Sequence, residues 1–290
     1  MKVRPIVVIM LPLVLGLVAF SCVAEQQILL LHGWHGSGSN WDEVKQVLTD
    51  PPYLFNPHDI FAPTLPDTVS LTTWAENIAS YIESMPVGEE LTVVAHSFAG
   101  PATLLLLIAA QHMEQGDYST WLATLIKSAP ELSRIATELS SVADKGVWIK
   151  AAKRVSKLFL YHPALGGGCF ACDACGGIPL PLVCDAAVQD MCALSSGKDI
   201  LFSQDEIAHL PVQIVDIYAS KLGCAGNCLG AKDTDGFVPE TAQRLFFTTP
   251  NYHEIPGKKH CHVDFMIDHA AAADMCAIIF PVPAPQGSEI

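Results

Sequence analysis

Four short stretches hold the residues that could do covalent chemistry. Residues 91–100 read LTVVAHSFAG and set Ser97 between small neighbours, Ala95 and Ala99, with Gly100 just beyond. Residues 32–41, HGWHGSGSNW, form a glycine-rich loop. Residues 233–239, DTDGFVP, offer the carboxylates Asp233 and Asp235. Residues 257–266, GKKHCHVDFM, offer His260 and His262. A serine hydroxyl becomes a nucleophile when an imidazole takes its proton, and a carboxylate fixes that imidazole's tautomer. Backbone N–H groups in a glycine-rich loop can hold the negative charge that follows. A phosphate loop is the rival reading of residues 32–41, but the Lys-Ser/Thr pair that would complete it is missing.

The elements needed to position these groups can be read around them. Residues 91–95 are an apolar, β-branched run, suited to a strand buried on both faces. After Ser97 comes Pro101, tolerated in a first helical turn, and then an apolar helix over 102–110. A strand, a sharp turn and a helix thus place a serine at the apex, where only small neighbours fit. Residues 27–31 predict the strand that feeds the glycine-rich loop, and Asn40 predicts the N-cap of a helix over 40–48. Residues 59–61 predict a short strand. Leu71, Trp74, Ala75, Ile78, Ile82 and Met85 recur at helical spacing, which makes Trp74 a core residue. Further strands are expected over 122–126, 212–219 and 252–255. A long helix with Lys145, Lys150, Lys153, Arg154 and Lys157 on one face is expected over 132–160. Alternating strands and helices predict an α/β fold with a doubly wound, mostly parallel sheet.

Residues 95–100, Ala-His-Ser-Phe-Ala-Gly, resemble the nucleophile elbow of the α/β-hydrolase family, with alanine in place of both pattern glycines. Beside it, residues 32–36 resemble that family's His-Gly loop. The resemblance implies Ser97 as nucleophile, Asp235 as the acid (rivals Asp233 and, more distantly, Asp216) and His262 as the base (rival His260). It also implies backbone N–H groups of Trp34 and Phe98 as the oxyanion hole, and His35 as a loop or pocket residue. The order Ser, Asp, His along the chain is that family's order. The implied activity is hydrolysis of carboxylic esters of small-molecule or lipid type, without cofactor or metal. A thioesterase or amidase would use the same triad. Two rivals from outside hydrolysis compete with it: a binding protein on a dead scaffold, and a metal or redox protein built on the cysteines.

Composition narrows the partners. With 30 Asp+Glu against 16 Lys+Arg, the formal charge is −14, which argues against a nucleic-acid partner and against docking on anionic membranes. Lys2 and Arg4 precede an apolar segment ending in small residues, a secretory signal over 1–24. The stretch ending at Cys22 also loosely resembles a lipoprotein box. Secreted or periplasmic localisation is therefore expected, with lipid anchoring at Cys22 the alternative. Cys169, Cys172 and Cys175 look superficially like an iron–sulfur run, but the Cys-Pro that would complete it is absent. In an exported chain these and the later cysteines are expected as disulfides, with at least one of nine free or paired between chains. Core halves are expected at 25–130 and 211–280, with a cysteine-rich helical cap inserted at 131–210 and a flexible tail at 281–290. The cap is the surface that would touch a lipid interface.

Overall fold

The computed structural model describes residues 26–281, apart from 89, 169–170, 176–183, 220–234, 236 and 258–259. Six parallel strands among the described residues form one sheet: β1 (Gln26–Leu31), β2 (Ile60–Phe61), β3 (Glu90–His96), β4 (Val155–Tyr161), β5 (Gln213–Tyr218) and β6 (Tyr252–Pro256). Their order is β2-β1-β3-β4-β5-β6. The helices are α1 (Asp42–Thr49), α2 (Leu71–Ser84), α3 (Ala99–Gln115), α4 (Tyr118–Ser128), α5 (Ser133–Ser140), α6 (Lys145–Arg154), α7 (Ala171–Cys175), α8 (Ala186–Leu201), α9 (Gln204–Ala208), α10 (Glu240–Gln243) and α11 (His269–Ile279). The expected α/β class and parallel sheet are both present.

Period-two alternation explains why the strands are apolar throughout. Leu29, Leu31, Val93, Ala95, Leu158 and Leu160 face one core, shared with Trp74 and Ile78 of α2, Leu104 of α3 and Trp148 of α6. Ile28, Leu30, Val94, Phe159 and Tyr161 face the other, shared with Val44 and Leu48 of α1 and Met275 and Ile279 of α11. Helices on both faces leave no solvated side, as parallel sheets require. Ser70 caps α2 by accepting from the Thr73 N–H at 3.3 Å. Helix α3 is buried nearly all round and ends at Gly116, whose φ of 80° lets its N–H bond back to the His112 carbonyl. No helix of the described residues is long and apolar enough to cross a membrane.

Two expected elements differ. Residues 122–126 belong to helix α4, not to a strand: Tyr118, Trp121, Leu122 and Leu125 are its buried residues, a helical spacing. The helix expected over 132–160 is α5 and α6, and the chain then becomes β4 between β3 and β5. Val155, Phe159 and Tyr161 supply the β-branched and aromatic character that suits a pleated, buried surface. Strand β4 therefore lies within the 131–210 stretch, between its helices. The cations of α6 do not form a free basic face: Lys153 pairs with Glu114 at 2.5 Å and Lys150 with Glu83 at 3.4 Å. Arg154 reaches the Met85 carbonyl at 3.1 Å and Gln27 Oε1 at 3.2 Å.

The expected disulfides are present in the inserted helices, as Cys172–Cys192 and Cys175–Cys184. Cys261 is also disulfide-bonded. Cys276 is free and buried, and burial pushes its thiol up to about 12. The expected signal segment, Cys22, Cys169, Cys224, Cys228, Asp233 and residues 282–290 of the tail lie outside the described residues.

Candidate active site

The chain leaves β1 toward β2 on one side and returns to β3 on the other. Such a reversal opens a crevice at the carboxyl ends of the two strands, the usual ligand position in an open parallel sheet. The glycine-rich loop follows β1 there, and Ser97 follows β3.

Ser97 has a φ of 56°, a left-handed conformation unusual for a residue with a Cβ. Three hydrogen bonds hold it. Its N–H donates to the Tyr161 carbonyl at 3.3 Å, and its own carbonyl accepts from the N–H groups of Gly100 at 3.0 Å and Ala164 at 3.1 Å. Two glycines make room. A Cβ on Gly33 would sit 2.5 Å from Ser97 Cβ, and one on Gly100 would sit 2.8 Å from Pro163 Cβ. Ala95 and Ala99, the alanines in place of the pattern glycines, are fully buried. Phe98 stands at the N-terminus of α3, its ring edge-on to Trp74. Trp74 is a core residue, as expected.

Asp235 and His262 come together 27 residues apart. His262 Nδ1 lies 2.5 Å from Asp235 Oδ2, and the His262 N–H donates to the Asp235 carbonyl at 3.0 Å. The other carboxylate oxygen accepts from the N–H groups of Phe237 at 3.0 Å and Val238 at 2.8 Å. Burial alone would raise the Asp235 carboxyl. The charge and hydrogen bond of His262, then His162 and the Val238 N–H, outweigh it and hold the carboxyl below its usual range. Because a carboxylate only accepts, Nδ1 is the nitrogen of His262 that donates to Asp235.

Ser97, His262, Trp34, His35 and His96 line one cavity of about 330 Å³, with Met191, Phe237, Val238, Val263 and Met266 making much of its wall apolar. No hydrogen bond joins Ser97 Oγ to His262 among the described residues. Trp34 is tied to the inserted helices: its indole N–H donates to Asp185 Oδ2 at 3.1 Å, and Asp185 caps α8. His35 packs on Trp34 and bonds Asp67 at 3.2 Å. The rivals point elsewhere. His260 bonds Asp274 of α11 at 3.1 Å. Asp216 is buried within β5 and accepts from the Tyr252 hydroxyl at 2.9 Å.

Sequence reasoning missed two histidines. His96 donates from Nε2 to the His262 carbonyl at 2.9 Å, and the two rings are 4.4 Å apart. Burial, with His262 and His162 beside it, holds its imidazole well below the usual range, so it stays neutral. His162 follows β4 and lies 3.9 Å from Asp235. Burial pushes its imidazole down to about 3, against the pull of Asp235. His162 precedes Pro163, yet its φ of 45° departs from the extended backbone that a following proline favours, so no local signal in the sequence marks it.

Against known proteins, the chain resembles lipolytic enzymes in fold. It aligns with the crystal structure of Bacillus licheniformis lipase BlEst2 in mature form at 16% identity and a TM-score of 0.55, covering 89% of this chain and 91% of that one. The propeptide form of the same lipase aligns at a TM-score of 0.58 and 16% identity, and there the match spans 91% of this chain but only 52% of that one. A structure from a report on the metagenome-derived lipolytic enzymes LipS and LipT aligns at 11% identity and a TM-score of 0.51, covering 89% and 93% of the two chains. No curated protein sequence matches. The sequence profile described as Alpha/beta hydrolase family spans residues 28–273, so the chain belongs to the α/β-hydrolase family.

Proposed function

We propose that this chain is a secreted serine hydrolase that cleaves carboxylic esters through an acyl-enzyme. The observation that carries the reading is the 2.5 Å contact of His262 Nδ1 with the buried Asp235, in a pair whose imidazole shares a cavity with the left-handed Ser97. His262 Nε2 takes the Ser97 proton as Oγ attacks the ester carbonyl. Backbone N–H groups of Trp34 and Phe98 hold the oxyanion, an effect of about 3 kcal/mol per donor. The imidazolium, steadied by Asp235, returns the proton to the leaving alkoxide. Water then repeats the sequence and releases the acid. The gap between Ser97 and His262 fits a free enzyme whose catalytic hydrogen bonds tighten on substrate binding.

The apolar wall and the net charge of −14 favour a neutral ester over an anionic one. The disulfide-bearing helices act as the cap: Met191 of α8 lines the cavity, and Asp185 holds Trp34. Secretion rests on the basic-then-apolar start of the chain and agrees with the disulfides. The deciding experiment is labelling with a fluorophosphonate probe and mapping of the labelled peptide. A label on Ser97 that Ser97→Ala abolishes is expected. Folded protein that takes no label, with and without detergent micelles, would overturn the reading in favour of a binding protein.

A further inference from the structure

His162 is an anomaly that ester hydrolysis does not use. It is fully buried, its backbone is left-handed at a φ of 45°, and neither ring nitrogen has a hydrogen-bond partner among the described residues. Each unmet buried polar group costs about 1–3 kcal/mol, and left-handed backbone at such a residue costs a similar amount. An aliphatic side chain would pack against Tyr161 without the first cost. What sets His162 apart is its aim. Its Nδ1 is 3.9 Å from Asp235 Oδ2, its ring centre is 6.2 Å from that of His262, and one donor atom from each of the three residues lies within 4.8 Å of the other two.

We propose that His162, Asp235 and His262 form an inhibitory zinc site. Two imidazoles and one carboxylate suit a borderline divalent ion such as zinc, which binds three such protein ligands and leaves a fourth position to water. Magnesium and calcium prefer all-oxygen shells. Tetrahedral bonds of about 2.0–2.1 Å set donors about 3.3 Å apart. The Asp235–His262 pair therefore opens by less than about 1 Å, and His162 closes on His262 by up to about 1.5 Å. Zinc takes the Nδ1 lone pair of His262. The proton now on Nδ1 moves to Nε2, so the ring stays neutral and no proton is released overall. Nε2 then has no lone pair to accept the Ser97 proton, and turnover stops. The inhibitory consequence rests on the proposed serine-hydrolase reading; the metal binding does not.

The test uses the full mature chain, its Ser97→Ala variant and His162→Gln. Zinc chloride is titrated against hydrolysis of p-nitrophenyl butyrate, with magnesium as the comparison ion. Separately, Co²⁺ replaces zinc, and its visible absorption reports a four-coordinate site. Zinc should inhibit the wild type reversibly, with recovery on adding EDTA, while magnesium has no effect. His162→Gln should need about 10-fold more zinc or more for the same inhibition. The cobalt band should appear in the wild type and in Ser97→Ala, and vanish in His162→Gln. Should that variant fail to fold by circular dichroism, His162→Asn replaces it. Equal zinc sensitivity of wild type and variant, or no cobalt band in the wild type, would overturn the site and leave a water bridging His162 and Asp235. A chain that hydrolyses no ester and takes no phosphonate label would sink the hydrolase reading, and the cobalt band would still decide the metal site.

Discussion

Gly33→Ala is the sharpest perturbation available, because it changes one methyl group in the loop and none of the proposed catalytic groups. Its Cβ would stand 2.5 Å from Ser97 Cβ, 3.0 Å from Ser97 Oγ and 3.4 Å from His96 Nδ1. Carbon atoms settle about 3.5–4.0 Å apart, so the first gap must widen by about 1 Å or more. Ser97 is pinned by three backbone hydrogen bonds to β4, to α3 and to the segment after His162. The loop is therefore the part that yields, and Trp34 moves with it. Hydrogen bonds to a developing oxyanion need donors at about 2.7–3.1 Å, so a shift of that size removes the Trp34 contribution. Loss of one such donor lowers kcat by about 10²–10³-fold, or about 3–4 kcal/mol. Overpacking costs stability as well, about 1–3 kcal/mol. The assay is kcat for p-nitrophenyl butyrate together with the thermal midpoint. Gly88→Ala is the control: its Cβ would meet the Gln27 side chain at an equal 2.5 Å, at the other end of β1. That variant should lose stability, if anything, and turn over within about twofold of wild type. A folded Gly33→Ala enzyme within about threefold of wild-type kcat would refute the assignment of this loop to the oxyanion.

Three further outcomes follow from the same geometry. Asp235→Asn should cut kcat by about 10⁴-fold with little change in fold, because an amide can hold His262 in the wrong tautomer; a drop of less than about tenfold would remove Asp235 from the mechanism. Asp216 is a buried carboxyl that burial raises well above its usual range, against the hydrogen bond from Tyr252. The folded chain then keeps a proton that the unfolded chain releases above about pH 4, so stability falls as pH rises from there toward the raised value. Asp216→Asn has no proton to lose and should flatten that decline in urea midpoints between about pH 4 and 7; parallel curves would show that the carboxyl is ionised in the fold. Gly116→Ala should lower stability by about 1 kcal/mol, since its φ of 80° disfavours a Cβ and no neighbour lies within 4 Å to add a clash; an unchanged midpoint would show that the α3 terminus frays without cost.

The parts of the fold that were legible in sequence are those where one residue pattern answers to one burial pattern. Strands β1 and β3 read correctly because a sheet covered on both faces turns them into unbroken apolar runs. Helix α2 read correctly because its buried residues recur at helical spacing. The misreadings share a cause. Leu122–Ile126 is apolar and short, and a short apolar run does not distinguish a strand from the buried side of a helix. Lys157 hid β4, because a cation next to helix α6 extends the look of a polar face into a strand. The pairing of Asp235 with His262 was legible only through the family resemblance. Twenty-seven residues and β6 separate them in the chain, and the sheet alone brings them together.

What was not legible lies where local preference is violated. Five residues other than glycine have positive φ: His35, Leu54, Ser97, His162 and Phe246 among those described. Three of them, His35, Ser97 and His162, stand at the carboxyl ends of β1, β3 and β4, around one cavity and the Asp235–His262 pair behind it. Backbone strain of about 1–3 kcal/mol per residue persists only where surrounding structure dictates it. Here the neighbouring strands dictate it, through the Tyr161 carbonyl that holds Ser97 and the Ile217 carbonyl that holds the His162 N–H at 2.9 Å. A propensity argument reads each residue from its own preference, so it is blind where the sheet overrules that preference. The same rigidity gives the strained edge its use. In the proposed mechanism, a serine held off its preferred backbone by hydrogen bonds to β4, to α3 and to the segment after His162 presents its hydroxyl to substrate without reorganising.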